Sequence, residues 1–325
     1  MDSAIKDGAK IIIKEWLSLK ENESILIVTD DYHIKEALEI KRQSEKIGAF
    51  AVMMIMPLES PQQGKFFDNL LEVAMEMDVI VGATTYSFIT TKAVKTALSK
   101  GSRFLSLPLH TKNGKSMLAY DFIKMDPQKS LIKAEKIVPE FNKSKKIRII
   151  TDLGTDIEFD VDERKADYFT GAASKKSDFA SASFEVYIAP NEEKTNGKVV
   201  IDGAIGYIGK IEEPFEIQFE NGRLIDIDET KEDGRNLKAY MESFKCENIN
   251  VAGELGIGLN ELSKIEGNCY IEDESAYKTF HIGLGRNISF GGKNYSNGHF
   301  DIIVKNPNVY VDEKLIIKNG ELIIN

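Results

Sequence analysis

The chain reads as an α/β N-terminal domain with an open, mostly parallel sheet, joined to an α+β, mostly antiparallel C-terminal domain. Three observations predict this. A length of 325 residues exceeds what one ordinary hydrophobic core organises. Up to Leu107, short continuous apolar runs alternate with segments of helical period, the pattern of a doubly wound sheet. Beyond residue 143 the period falls to two, and hairpin dipeptides such as Asn221-Gly222 and Asn319-Gly320 appear.

In the first half, Ile5, Ala9, Ile12, Ile13, Trp16 and Leu17 recur at helical spacing from Ala4 to about Leu19. Ser24-Ile25-Leu26-Ile27-Val28 follows as a strand apolar on both faces, closed by Asp30-Asp31. The alternation continues with a helix from Ile34 to Lys46, a strand from Ala49 to Ile55 and a helix from Phe66 to Met77. A strand from Val79 to Gly82, a helix from Lys92 to Lys100 and a strand from Arg103 to Leu107 complete it. Sheets of this kind bind ligands beyond the carboxyl ends of their strands, here Thr29-Asp30-Asp31 and Gly82-Ala83-Thr84-Thr85, yet neither GxGxxG nor a P-loop is present. His33 and His110 lack partner signals and read as ordinary loop or cap histidines. Asp126 to Phe141 reads as a long helix, and the polar stretch Asn142-Lys143-Ser144-Lys145-Lys146 places the domain boundary between 1–143 and 144–325.

The second half opens with a hairpin of Ile147–Thr151 and Asp156–Val161 around Gly154. Strands follow at Ser183–Ala189, Lys198–Ile201, Phe215–Phe219 and Arg223–Asp226, then a helix from Thr230 to Phe244. Ile249–Gly253 reads as a strand with Glu254 at its end, and the chain closes in hairpin arms at 301–304 and 309–324.

Composition excludes several classes. Hydrophobic residues make up 42% and charged residues 29%, as in soluble globular proteins. A net charge of −10 and a pI near 5.2 argue against nucleic acid or an anionic membrane as a partner. No apolar run approaches the roughly 20 residues that span a bilayer, and Ile11-Ile12-Ile13 is too short for a signal h-region, so a cytoplasmic protein is expected. Cys246 and Cys269 form no CxxC motif and read as free thiols.

The chemistry concentrates at Thr279-Phe280-His281-Ile282-Gly283-Leu284-Gly285 and His299-Phe300-Asp301. Two of the four histidines fall here. In an extended strand His299 and Asp301 share a face, and neutral imidazole with carboxylate is a divalent-metal ligand pair. A Gly-rich hairpin with a polar surface is the bland alternative. Glu185, in an apolar strand, and Glu254, beside Gly253 and Gly256, bring the set to three carboxylates and two imidazoles. Carboxylates gathered in a cleft need cations to stay there, and two divalent ions would bring this set near neutrality.

With those residues in view, the second half resembles the thermophilic metallo-aminopeptidase family that includes aminopeptidases T and S. The resemblance runs, in order, through Asp152-Leu153-Gly154-Thr155-Asp156, Glu185-Val186-Tyr187-Ile188-Ala189-Pro190, Asn196-Gly197 and Gly253-Glu254-Leu255-Gly256-Ile257-Gly258-Leu259-Asn260. It continues through Asp273-Glu274, His281-Ile282-Gly283-Leu284-Gly285 and His299-Phe300-Asp301. It implies metal ligands at Glu185, Glu254, His281, His299 and Asp301, a dinuclear centre of zinc, cobalt or manganese, and a homodimer. It further implies a peptide or small-molecule substrate, with Glu254 or Glu185 as the catalytic base. Domain 144–325 would then be catalytic and domain 1–143 a Rossmann-like scaffold. Two departures stand out. Ile288 occupies the place of the family's functional tyrosine, with Tyr277 and Tyr295 nearby, and a short Gly-rich link separates the two histidines.

The leading expectation is thus a metallo-aminopeptidase. A second is a ring-cleaving dihydroxypyridine dioxygenase, which resembles that family in fold and uses one iron on two histidines and a carboxylate, here His281, His299 and Asp301. The third is an inactive binding protein on the same fold.

Overall fold

The computed structural model describes residues 3–57, 64–89 and 91–324. The chain divides into two compact units, Met1–Gln128 with Phe169–Ser183, and Lys129–Tyr168 with Phe184–Asn325. The chain passes between the units three times, after Gln128, Tyr168 and Ser183, where the sequence drew a single boundary between 143 and 144.

The first unit holds a five-stranded parallel sheet in the order Phe50–Ile55, Ser24–Thr29, Val79–Thr84, Arg103–Pro108, Phe179–Ser181. Its last strand comes from the returning segment. Leu26, Val28, Ile80, Phe88 and Phe104 are buried together in its core, and Phe67 packs on Phe88 with ring centroids 4.6 Å apart. The helix Ile34–Ile47 is closed by Gly48 at φ +89, where the amide returns to the Ser44 and Glu45 carbonyls. The single helix expected over Phe66–Met77 is two short ones, Gly64–Asp68 and Leu71–Met75. The Asn69 and Leu70 amides bond the Phe66 and Phe67 carbonyls three residues back and tighten the chain into a turn.

The second unit carries two antiparallel arrangements. An eight-stranded sheet contains the predicted hairpins, and Asn221 and Gly222 take φ +49 and +79 at the tip of one of them, as a type I′ turn requires. A seven-stranded sheet sets four strands side by side: His299–Lys305, Thr279–Gly285, Ala252–Gly258 and Phe184–Ile188. One expectation is corrected here. Glu247–Asn250 is a 3₁₀ turn and the strand runs from Ala252 to Gly258, so Glu254 lies inside the strand instead of at its end. The glycines at 253, 256 and 258 signal a break in isolation, yet this strand is central, and close packing on one face leaves no room for a side chain there. No helix among the described residues is long and apolar enough to cross a membrane.

Candidate metal centre

The four adjacent strands fix which side chains share a face. Residues directly opposite one another in an antiparallel ladder point the same way, as do residues two apart on a strand. Glu254 stands opposite Gly283, Gly256 opposite His281, and Gly258 opposite Glu185. Gly283 stands opposite Asp301, and Gly285 opposite His299. Hence Glu185, Glu254, His281, His299 and Asp301 all project from one face, together with Gly256, Gly258, Gly283 and Gly285. The other face is apolar: Val186, Leu255, Ile257, Phe280, Ile282, Leu284, Phe300 and Ile302 are buried in the core. That burial fixes the register, and a slip of one residue would invert both faces.

Two of these glycines, Gly256 and Gly283, are saddles over which ligands from non-adjacent strands meet. A Cβ on Gly256 would lie 1.9 Å from His281 Nε2, and this imidazole crosses the glycine to stand 2.8 Å from Glu185 Oε2. A Cβ on Gly283 would lie 2.5 Å from His299 Cε1 and 2.9 Å from Asp301 Oδ1. Over that gap His299 Nε2 stands 3.2 Å from Glu254 Oε2 and 3.3 Å from Asp301 Oδ1. His299 Nδ1 is fixed by the Arg286 carbonyl at 2.9 Å, which leaves Nε2 aimed into the cluster. Two groups of three result, each with its ligand atoms within 4.8 Å: Glu185, Glu254 and His281, and Glu254, His299 and Asp301. Glu254 belongs to both.

Electrostatics follow from this crowding. Burial pushes the Glu254 carboxyl up to about 7, against the hydrogen bond from His299 and with help from the Glu185 charge. Burial alone would lower His281, but the hydrogen bond and charge of Glu185 hold it up at about 9. Asp301 goes the other way: burial opposes its ionisation, yet the charge of the neighbouring His299 holds it well below the carboxylate range. Unshared protons and strained charges of this kind are what a bound cation relieves. Asp301 Oδ1 and His281 Nδ1 are buried without a hydrogen-bond partner. Oxygen and imidazole donors around one buried spot fit a divalent first-row ion.

All five residues singled out in the sequence therefore come together. Other groups at the cluster went unrecognised. Tyr270 donates its hydroxyl to Asp301 Oδ2. Glu274 is buried, and burial together with the charges of Glu185 and Asp301 raises its carboxyl well above the usual range. Its signal was the acid run Glu272-Asp273-Glu274, of which the resemblance had already taken in Asp273-Glu274 without a role, and all three acids are buried. The tyrosines considered as substitutes at position 288 do other things: Tyr277 donates to Glu321 Oε2 at 3.0 Å, and Tyr295 is 68% exposed.

Comparison with known proteins supplies the family. The NicX family profile, described as 2,5-dihydroxypyridine 5,6-dioxygenase, matches residues 15–324. A curated 2,5-dihydroxypyridine 5,6-dioxygenase of Pseudomonas putida KT2440 is 25% identical over 151 residues, a stretch covering 41% of each chain. The solved 2,5-dihydroxypyridine dioxygenase of Pseudomonas putida KT2440 superposes with a TM-score of 0.84 at 16% identity, covering 99% of this chain and 97% of that one. Wild-type AmpT from Thermus thermophilus superposes with a TM-score of 0.64 at 14% identity, covering 99% of each chain, which is a likeness of fold. The expectation of a metallo-aminopeptidase, a hydrolase of peptides, is corrected by these matches. The candidate ligands are the same residues under both expectations, so the ligand motifs alone did not separate the two, and Ile288 was the departure from the aminopeptidase pattern. With the profile running almost from end to end, this chain belongs to the NicX, or 2,5-dihydroxypyridine 5,6-dioxygenase, family.

Proposed function

We propose that this chain is an iron-dependent dioxygenase that opens a dihydroxylated nitrogen-heteroaromatic ring. The observation that carries the reading is the family match over residues 15–324, whose span includes the buried carboxylate–imidazole cluster. Two imidazoles and one carboxylate, His281, His299 and Asp301, would hold a single ferrous ion, the donor set of non-haem iron oxygenases, with Glu254 as the carboxylate common to the group of His281 and the group of His299 and Asp301. A ferrous ion, when bound, supplies a Lewis-acid seat for ring hydroxyls and the electrons for activating dioxygen. Number and identity of the metal belong to this proposal, in place of the two zinc, cobalt or manganese ions first expected.

The remaining residues have work of their own. Glu254 Oε2, beside the His299 ring, would accept the proton of a ring hydroxyl as it enters. Glu185 Oε2, 2.8 Å from His281 Nε2, would orient that ring. Phe290 stands edge-on to Tyr187 at 5.1 Å and 5.3 Å from the His299 ring, which offers a planar substrate an aromatic wall beside the cluster. The apolar layer beneath the sheet closes the other side to water.

The test is anaerobic loading with Fe(II), metal counting, and oxygen uptake on a panel of dihydroxylated pyridines. One iron per chain, ring-opened product and loss of uptake in His299→Ala are the expected results. Iron-loaded protein that consumes no oxygen with any member of the panel would overturn the reading.

A further inference from the structure

We propose that Tyr270 is a positioning residue for Asp301, holding its carboxylate so that Oδ1 is the oxygen offered to a divalent ion. The inference rests on the metal-centre reading above. An aspartate carboxylate has two equivalent oxygens and a soft terminal torsion, so something must decide which one faces the cluster. The Tyr270 hydroxyl donates to Oδ2. Oδ1 is left buried, without a hydrogen-bond partner and 3.3 Å from His299 Nε2.

The phenol is itself clamped by groups tied to the same aspartate. Ala204–Ile205 pairs with the strand of Asp301, which brings Gly206 alongside, and the Gly206 amide donates to the Asp301 carbonyl at 2.8 Å. The Tyr270 ring lies against Gly206, where a Cβ would fall 2.8 Å from Cδ2 and Cε2. Tyr207 stacks on the other part of that ring, with centroids 5.0 Å apart and planes 22° from parallel. To do so Tyr207 adopts φ +67, a left-handed conformation that costs a non-glycine residue about 1–2 kcal/mol. The circuit closes on itself: backbone of Asp301 to Gly206, Gly206 and Tyr207 to the ring of Tyr270, and its hydroxyl back to the side chain of Asp301. Removal of an outer partner of this kind typically weakens metal binding about 10- to 100-fold.

The test uses the full chain and reads metal binding. In Tyr270→Phe the ring and its stack remain while the hydroxyl is gone. Mn(II) affinity by anaerobic titration calorimetry is expected to fall about 10- to 100-fold, and the visible spectrum of the Co(II)-loaded protein to change as both Asp301 oxygens become available. Tyr207→Leu, which loosens the clamp and keeps the hydroxyl, should give a smaller loss in the same direction. Unchanged affinity and an unchanged Co(II) spectrum in Tyr270→Phe overturn the proposal, even where the melting temperature falls. A wild type that binds neither Mn(II) nor Co(II) overturns it as well. Oxygen uptake is not among these readouts, so a chain that binds metal but opens no ring would refute the proposed function while leaving these affinities decisive for Tyr270.

Discussion

His281 meets Glu185 across an intervening strand, Nε2 to Oε2 at 2.8 Å, because the residue between them is Gly256. Neighbouring strands are about 4.8 Å apart, so a side chain that must reach two strands away needs an empty position beneath it. Gly256→Ala tests this. Gly256 is not in the left-handed region, so the added methyl acts through space: it would sit 1.9 Å from Nε2 and push the imidazole off its partner. The expected result is at least about tenfold weaker Mn(II) binding by calorimetry, with an overpacking cost of about 1–3 kcal/mol in chemical unfolding. Wild-type affinity would mean that His281 does not need this path.

The same glycines explain how much of the site was legible beforehand. His299 and Asp301 announce themselves, since a period of two puts them on one face whatever the fold. Glu185 in its apolar run and Glu254 beside glycines drew notice only as part of the set, because an acid in an apolar run looks alike whether it is solvated or buried. The boundaries of the Glu254 strand were misplaced because Gly253, Gly256 and Gly258 look like loop residues until their close neighbours are known: the Gly285 carbonyl at Gly253, the His281 ring at Gly256 and the Ala276 carbonyl at Gly258. The α/β alternation of the first half was plain from apolar runs, but the fifth strand, Phe179–Ser181, was not. It is three residues long and pairs with Arg103–Pro108, about seventy positions back, so only tertiary pairing defines it. Tyr270 gave no signal at all, for its partner Asp301 is 31 positions away.

Protons and metal compete for this cluster, and the sign of the competition is set by the raised groups. Glu254 titrates near 7 in the fold against 4.5 ordinarily, and His281 near 9 against 6.5. Both are raised, so the metal-free fold holds protons that the unfolded chain releases, and the associated stability is lost as pH climbs through 7 and then 9. Asp301, held low, acts only below its ordinary range and leaves this window untouched. Chelator-treated protein should therefore lose stability between about pH 6.5 and 9, the more so because His299 is raised as well. A divalent ion takes over the role of those protons, so the gap in Tm between loaded and chelated protein should widen with pH. A gap that stays constant or narrows would contradict the assignment.

The Gly-rich link between the two histidines is held by Asn287, which is fully buried. Its Nδ2 donates to the Gly253 carbonyl and to Glu192 Oε1, each at 3.1 Å, and its Oδ1 accepts the Asn294 amide at 2.8 Å. Asn287→Ala would strand these partners without water to replace the amide, at a cost of about 2–4 kcal/mol. Asn287→Asp should do no better at neutral pH, because it keeps the acceptor, loses both donors and sets a second charge beside Glu192. Thermal unfolding checks both. A melt unchanged in either variant would show that the link is held by something else.

Glu254 is the carboxylate common to both groups of candidate ligands, whereas Glu185 belongs to one. An ion seated anywhere in the cluster therefore loses a neighbour when Glu254 is neutralised, but only an ion on the His281 side loses one when Glu185 is. Glu254→Gln should accordingly weaken Mn(II) binding more than Glu185→Gln does. If a single ion sits with His299 and Asp301, Glu185→Gln should cost less than about tenfold, since its part is to hold the His281 ring. The two variants are nearly isosteric with the wild type, so their packing is preserved and the comparison isolates charge. Under the proposed function Glu254 would also take a hydroxyl proton. At saturating metal, Glu254→Gln should therefore lower turnover by about 10²- to 10⁴-fold, the range of a lost general base, whereas Glu185→Gln should retain most of it. Equal losses of affinity and turnover in the two variants would remove Glu254 from its central place.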